Sequence, residues 1–340
     1  MMKTVLYTEK GKASYNPEAQ KEIPDASSLK PGQVLIKVEC AVINPSDIYM
    51  MQGNYNGTYE YPVTPGGEGS GTVIAYGGGI GAWTLMGKRV GFTRMAERGG
   101  KFSVGGSYAE YVVTNDYQCI SLNNSATWEQ GACSFVNPLT AIGLLDRCKA
   151  RGARAVIQTG AASQLGRMII KLFRENGIPL INVVRRNEQI KMLKEDYGAD
   201  YVLNSESETF DKELYELSKK LNANVALECV SGELTGRIMQ VLAVGGTCIL
   251  YGQLSEQKVG PINPIILIFK HQTLESFLLP YWIAEQSLIG KMQMIRNSKR
   301  LVEDVTVAKS FGFHQFDEAL EYYKNNMTGG KVFLKPSLTE

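Results

Sequence analysis

Histidine is nearly absent: 340 residues hold two, His271 and His314. Cysteine occurs six times, at Cys40, Cys119, Cys133, Cys148, Cys229 and Cys248, with no C-x-x-C pair. That scatter argues against a zinc ribbon and a disulfide framework, and fits a reducing compartment. Long apolar runs are missing. The nearest, residues 264–269 and 277–284, are short and separated by Lys270, His271 and Glu275, well under the roughly 20 residues of a membrane-spanning helix. Neither sign of charge dominates. Lysine and arginine number 36 and the acids 34, a balance of +2 that makes no case for nucleic acid or an acidic membrane. There is no internal repeat, low-complexity tract or charge block. A transit peptide would be rich in Arg and poor in acids, whereas Met1-Met2-Lys3 runs straight into the strand-like residues 4–8. The expectation is a chain that stays in the cytosol, or one imported to the mitochondrial matrix on a signal that is internal or already gone.

What is present is a globular composition, 44% hydrophobic and 21% charged, long enough for two domains. Residues 1–123 are rich in short strands. Residues 34–40 (VLIKVEC) alternate after a Pro31-Gly32 turn. Glycine clusters at residues 65–71 and 77–81 punctuate further strands at 72–75, 88–92 and 107–114. Many short strands between Gly/Pro turns predict a small barrel. The pattern changes near residue 124. Residues 128–135 and 140–148 predict helices, and from 155 to 251 strands and helices alternate. Such alternation predicts a parallel, doubly wound sheet, an α/β Rossmann domain. The expected division is 1–123, 124–301, and a tail, 302–340, that returns to the first domain.

The chain is organised around residues 154–186. Residues 155–159 are a β-branched apolar run, a buried parallel strand. The turn Gly160-Ala161-Ala162-Ser163-Gln164-Leu165-Gly166 follows. Met168, Ile169, Leu172 and Phe173 then give helical spacing, Gly177 and Pro179 end the helix, and residues 180–184 form a second strand. A helix starting at a tight, small-residue turn offers backbone N–H groups and a positive dipole end to a pyrophosphate. The middle glycine of G-x-G-x-x-G is replaced by Ser163 or Ala162, depending on alignment. The turn alone is weak support, and its small residues could serve packing only; its place between two strands makes it a nucleotide site. After the second strand an NAD site has an acid, to bind the ribose 2′-OH. Arg185 and Arg186 stand there instead. A guanidinium can grip a 2′-phosphate through charge-assisted hydrogen bonds, so the expected cofactor is NADPH. Which arginine does so stays open, as does a solvated pair with no such role.

With a strand-rich first domain, a Rossmann domain and a returning tail, the chain resembles the medium-chain dehydrogenase/reductase superfamily. The motifs that carry this are Asn44-Pro45-Ser46-Asp47, Gln52-Gly53-Asn54-Tyr55, Pro65-Gly66-Gly67-Glu68-Gly69, Val136-Asn137-Pro138-Leu139-Thr140-Ala141 and Thr328-Gly329-Gly330-Lys331-Val332. They are most similar to NADPH-dependent 2-enoyl thioester reductases, the mitochondrial enoyl-CoA reductase branch and its bacterial relatives. Quinone oxidoreductases come next. The resemblance implies a GroES-like β-barrel as the first domain. It also lets zinc be tested. The positions that supply Cys, His and Cys to the metal in zinc members are Asn44, Gly67 and Asn137 here, and the cysteine-rich structural zinc lobe is missing, so no bound metal is expected. His271 and His314 are expected in core or surface roles.

By the same resemblance, hydride passes from the nicotinamide to the β-carbon of an α,β-unsaturated thioester. The resulting enolate needs donors and its α-carbon needs a proton. The tyrosine with that role falls on Tyr55. Asn137 would lie by the nicotinamide side, and Asn44 and Thr140 would also bind the cofactor. Ala162, Ser163, Gln164, Leu165 and Gly166 would cradle the pyrophosphate. Tyr251, Gly252, Gln253 and Leu254, with Phe277, Leu278, Leu279 and Pro280, would flank the nicotinamide ribose and amide, and Lys331 would reach the cofactor from the tail. A homodimer is expected through residues 265–269 and 276–282, late in the nucleotide-binding sheet. The substrate is expected to be an enoyl thioester or a quinone or small enone. A non-catalytic NADPH-binding subunit docked to a larger assembly is the other class. Tyr55 within its motif favours the enzyme; the Gln-for-Gly change in the phosphate turn pulls mildly the other way.

Overall fold

A computed structural model describes residues 1–18, 21–53, 61–94 and 105–338. The chain runs through β1 (Val5–Glu9), β2 (Lys12–Tyr15), β3 (Gln33–Val42), α1 (Pro45–Met51), β4 (Glu68–Tyr76), α2 (Ile80–Leu85), β5 (Arg89–Thr93), β6 (Tyr111–Asn115), β7 (Cys119–Ser121), α3 (Trp128–Ala132) and α4 (Val136–Ala150). An alternating section follows: β8 (Val156–Gln158), α5 (Gln164–Glu175), β9 (Leu180–Val184), α6 (Asn187–Glu195), β10 (Tyr201–Asn204), α7 (Phe210–Leu221), β11 (Val225–Glu228), α8 (Glu233–Val241), β12 (Thr247–Leu250), α9 (Pro264–Phe269), β13 (Thr273–Ser276) and α10 (Leu279–Glu285). The tail adds α11 (Leu288–Leu301), β14 (Val307–Phe311), α12 (Phe316–Asn325) and β15 (Lys331–Leu334). Among the described residues no helix is long and apolar enough to cross a membrane.

Two compact units result: residues 1–139 with 283–340, and residues 140–282. The divisions expected at 123/124 and 301/302 thus stand beside change-overs at 139/140 and 282/283. The physical reason at the first is that α3 packs on β3, β4 and β5. The Glu129 carboxylate of α3 also accepts from Lys335 Nζ at 2.5 Å.

In the first unit a seven-stranded sheet runs β14-β15-β3-β4-β5-β7, with β6 also on β3. All its pairs are antiparallel except β14–β15. Strand β3 buries Val34, Leu35, Ile36 and Val38 and then Cys40, Ala41 and Val42 in succession, so the alternation holds at Lys37 and Glu39 and lapses at Leu35 and in the last three residues. The tail enters this core: Phe311, Phe313, Phe316, Val332 and Leu334 cluster with Val5, Ala41, Ile43 and Tyr108. β15 pairs with β3 through Phe333 and Val42. Burial of these aromatic side chains, each worth roughly 1.5–3 kcal/mol, fixes the tail here.

The second unit is a six-stranded, wholly parallel sheet, β10-β9-β8-β11-β12-β13. Counted from β8, its order is 3-2-1-4-5-6, the dinucleotide-binding arrangement, and the direction of travel reverses between β8 and β11. Residues 265–269, expected at a sheet edge, form the short helix α9, capped by Asn263 and opened by Pro264. The edge strand is β13. Helix α4 also begins earlier than its pattern predicts: Pro138 lies inside its first turn, where the missing N–H has no intrahelical partner to lose.

Candidate active site

In the second unit the candidate cradle is built at the carboxyl end of β8. Ser163 caps α5, its hydroxyl accepting from Gly166 N at 3.0 Å. That explains why serine can stand where a glycine is usual: it stabilises the first turn from the side. Gly160 takes φ +60°, and a Cβ there would meet the Cys229 sulfur at 2.8 Å. At Gly166 a Cβ would lie 2.4 Å from the Ala161 carbonyl oxygen, so helix and turn approach as only glycine allows. Ala161, Ala162, Gln164 and Leu165 complete the turn, with Gln164 Oε1 held by Arg167 Nη2 at 2.8 Å. The shape and donors of this turn fit a pyrophosphate.

Arg185 and Arg186 follow β9 directly, both exposed. Their backbone N–H groups donate to the Gln189 side chain at 3.1 and 3.2 Å, which orients the strand end. The first acid beyond the strand is Glu188, in the first turn of α6.

Next to β8, the ends of β11 and β12 are laced together. Tyr251 N donates to Glu228 O at 3.0 Å, Leu254 N to Cys229 O at 2.8 Å and Ser231 Oγ to Gly252 O at 3.3 Å. The Tyr251 hydroxyl bonds the Cys229 thiol, and burial pushes that phenol well above its ordinary range. Tyr251, Gly252, Gln253 and Leu254 therefore share one ledge with the Gly160 turn at the sheet's reversal point, where open α/β sheets bind ligands. Residues 277–280 divide. Phe277 packs on Gly143, where a Cβ would come within 2.5 Å of its ring, and Leu279 is buried. Leu278 is exposed and Pro280 half-buried. Thr140, on α4, is buried.

Sequence reasoning missed two polar groups beneath this ledge. Glu228, fully buried at the end of β11, accepts from Thr159 Oγ1 (2.9 Å), Thr235 Oγ1 (2.5 Å), Val230 N (2.7 Å) and Ser231 N (2.9 Å). It holds Ser231 and Gly232 at φ +69° and +67°. Gln158 of β8 donates to Asn182 of β9 at 2.6 Å and to Gly166 O at 3.2 Å, steadying the start of α5. The available signal was a polar residue at the carboxyl end of an otherwise apolar strand.

In the first unit the structure brings together Asn44 and Lys331 from opposite ends of the chain. Lys331 Nζ donates to Asn44 Oδ1 at 2.5 Å, and Asn44 Nδ2 donates to Glu68 Oε1 at 2.8 Å. Glu68 Oε2 accepts from the backbone N–H of Phe135 (3.2 Å) and Val136 (3.0 Å), at the start of the helix that carries Asn137. Burial pushes the Glu68 carboxyl up, while the Lys331 ammonium and these hydrogen bonds pull it back. Asp47, beside this group, accepts from Asn44 N at 2.8 Å and Tyr108 Oη at 3.2 Å. Burial raises its carboxyl to about 6, with the Glu68 charge adding to the rise. Tyr55 lies outside the described residues.

Asn44, Gly67 and Asn137, the positions for zinc ligands, offer no thiolate or imidazole, and Asn44 is already engaged by an ammonium and a carboxylate. This donor set does not fit a zinc ion of the N/S-ligand type. Among the described residues no group of three His, Cys, Asp or Glu could hold a metal. His271 and His314 lie outside all of these clusters.

Comparison with known proteins agrees with this architecture. Residues 30–124 match the family described as alcohol dehydrogenase GroES-like domain, and residues 164–294 the family described as zinc-binding dehydrogenase. A mitochondrial enoyl-[acyl-carrier-protein] reductase of Rattus norvegicus is 32% identical over 263 residues, 76% of this chain and 68% of the relative. One of Caenorhabditis elegans is 32% identical over 274 residues, 78% and 75% of the two chains. A solved structure from Mesorhizobium loti, described as a candidate NADPH:quinone reductase, superposes with a TM-score of 0.82 at 34% identity, covering 98% of each chain. Parallel 3-2-1-4-5-6 sheet, GroES-like first unit and relatives about a third identical over two thirds or more of their length together make the chain a member of the medium-chain dehydrogenase/reductase superfamily of oxidoreductases.

Proposed function

We propose that the protein is an NADPH-dependent reductase of activated carbon–carbon double bonds, with a 2-enoyl thioester as substrate. The observation that carries this reading is the Asn44–Glu68–Lys331 group at the superfamily's metal position. It supplies no Lewis-acid ligand set for carbonyl–alcohol exchange, but leaves hydrogen-bond donors suited to a conjugated system. Relatives about a third identical are named enoyl reductases, which supports the same substrate class.

Bound NADPH would supply a hydride to the substrate's β-carbon. The turn of residues 160–166 would bind the pyrophosphate with the first-turn N–H groups of α5. Arg185 and Arg186 would pair with the 2′-phosphate, and no acid adjoins β9 to repel it. Asn44, Asn137 and Lys331 would orient the nicotinamide side. Tyr55 would donate a hydrogen bond to the thioester oxygen as charge develops there, or a proton to the α-carbon.

A second reading, quinone or enone reduction, is favoured by the name of the Mesorhizobium loti structure. An NADPH-oxidation screen over enoyl-CoAs, quinones and small enones separates the two. Turnover on crotonyl-type thioesters is expected to exceed that on quinones. The reverse order hands the site to quinones, and no turnover on any class leaves an accessory subunit. On the preferred thioester, Tyr55→Phe is expected to lower kcat about a hundredfold or more while NADPH binding stays within a few-fold.

The active form is proposed to be a homodimer. Strand β13 is the open edge of its sheet, and α9 beside it exposes Ile265, Ile268 and Phe269. A second copy would cover such an edge. Light scattering at micromolar concentration should give twice the chain mass, and a monomer would count against it.

A further inference from the structure

Asn44, Glu68 and Lys331 come from three distant stretches and are 1%, 1% and 5% exposed. Their chemistry permits one arrangement. An ammonium only donates and a carboxylate only accepts, so the Asn44 amide must turn its oxygen to Lys331 and its nitrogen to Glu68, as it does. The carboxylate's other oxygen takes two backbone N–H groups at the start of α4, through Phe135 and Val136. One buried carboxylate thus sets the flip of Asn44, the direction of the Lys331 ammonium and the first turn that bears Asn137.

We propose that Glu68 is a positioning residue for cofactor binding: it polarises a relay, Lys331 to Asn44 to Glu68, and anchors the turn of Asn137 with its second oxygen. Glu68 itself touches no cofactor. The inference rests on the NADPH reading above and adds to it a residue that acts through its neighbours. Lys331 and Glu68 are linked through the Asn44 amide. The neutral amide between them passes the polarity along.

The relay predicts how it fails. In Glu68→Gln the backbone N–H groups of Phe135 and Val136 claim the new carbonyl oxygen. Its NH₂ then faces the Asn44 NH₂, donor against donor. Asn44 must rotate to accept, which turns its own NH₂ on the Lys331 ammonium. Adding Asn44→Asp reverses the relay with the charge kept. The introduced amide donates its NH₂ to the introduced carboxylate, which accepts from Lys331 directly.

The test is NADPH titration by fluorescence on the full-length protein and both variants, with thermal unfolding as the check on folding. Glu68→Gln should weaken NADPH binding about tenfold or more. The Asn44→Asp/Glu68→Gln swap also alters a side chain placed beside the cofactor, so it should recover only part of the loss, binding NADPH at least about threefold more tightly than Glu68→Gln. A residue that merely fills space would not be rescued by exchanging its polarity with a neighbour's. Glu68→Gln binding as tightly as wild type overturns the proposal. So does a swap that binds no better than the single variant, or a swap that fails to fold, since it keeps both the charge and the hydrogen-bond count. Should the single variant alone fail to fold, the swap decides: a swap that folds and binds NADPH supports the relay, and one that folds without binding NADPH overturns it. A wild-type protein that binds no NADPH removes the nucleotide reading and the relay together, an outcome distinct from the others.

Discussion

Among the described residues each compact unit buries one glutamate with hydrogen bonds on both carboxylate oxygens, and the two are compensated differently. Glu228 receives two threonine hydroxyls and two turn N–H groups, all neutral, from residues of its own unit. Glu68 receives an amide and two N–H groups, with an ammonium one residue further out. A buried charge can be held by dipoles alone or by dipoles and a counter-ion. The first arrangement stiffens a loop: Glu228 clamps residues 230–231 before α8, where Ser231 takes a positive φ that would otherwise be unfavourable. The second passes an orientation on to other side chains. The contrast suggests that Glu228 serves the fold of the cradle and Glu68 the alignment of what binds.

Removing each carboxylate is the most forceful way to break this comparison. Glu228→Ala strands four buried donors, each worth about 1–3 kcal/mol when left unsatisfied. With some relief from entering water, the second unit should lose on the order of 4 kcal/mol. In a unit of this size that is a fall of roughly 10 °C in its Tm, read by calorimetry. Glu68→Gln, which keeps an acceptor for the helix N–H groups, should cost less stability and more NADPH affinity. If Glu228→Ala unfolds within about 1 kcal/mol of wild type, Glu228 is not the clamp described.

These two sites also mark where sequence reading stopped. The unit of residues 154–186 was legible because a buried parallel strand leaves an unbroken apolar run and a helix leaves a 3.6-residue period. Gly177, at φ +65°, ends α5 as a glycine after a helix should. Asn44, Asn137 and Lys331 were legible through their motifs, and so were the two arginines after β9. Glu68 was visible only as part of a glycine cluster and Glu228 not at all. Their partners explain why. Thr159 lies 69 residues from Glu228, and Lys331 lies 287 from Asn44. A polar residue at a strand end carries no periodic signature of what will solvate it once buried. Pro138 misled for the opposite reason: proline reads as a helix boundary, yet the first turn tolerates it.

The pH dependence of stability sharpens the comparison, because Glu68 has a second carboxylate acting with it. Asp47 is raised to about 6, first by burial, then by the Glu68 charge, against the hydrogen bonds from Asn44, Tyr108 and Gly67. The nearby phenols of Tyr108 and Tyr323 are themselves pushed up by burial and by the Asp47 charge. Unfolded, an aspartate titrates near ~3.9, so between about pH 4 and 6 the folded state holds the extra proton. The contribution of Asp47 to stability then falls as pH rises through this window, by about 3 kcal/mol for the two-unit shift. The raised Glu68 contributes in the same direction. Urea unfolding at pH 4.5 and 7 should show the decline, and Asp47→Asn, which still accepts from Asn44 N, should remove most of it. A slope unchanged by Asp47→Asn would mean that other groups carry it.

Exposed charges are the third case, and the one with the smallest expected effect. Arg185 and Arg186 are exposed at the end of β9, where water screens charge and a surface pair is worth little. Changing both to Ala should shift stability by no more than about 0.5 kcal/mol. Their larger contribution would come with an anion to hold. A 2′-phosphate gripped by one guanidinium gains charge-assisted hydrogen bonds, and about 1.4 kcal/mol of such gain is a tenfold preference. The wild-type protein should therefore bind NADPH at least about tenfold more tightly than NADH, and Arg185→Ala/Arg186→Ala should bring the two to near parity. The loss should fall on NADPH, since NADH has no 2′-phosphate to lose. It should also shrink as salt rises, because screening weakens an exposed pair within a Debye length of about 10 Å at 0.1 M. Titrations at two ionic strengths read both effects. Equal affinities in the wild-type protein would sink the NADPH assignment, and a preference that survives the double substitution would place the 2′-phosphate away from this strand end.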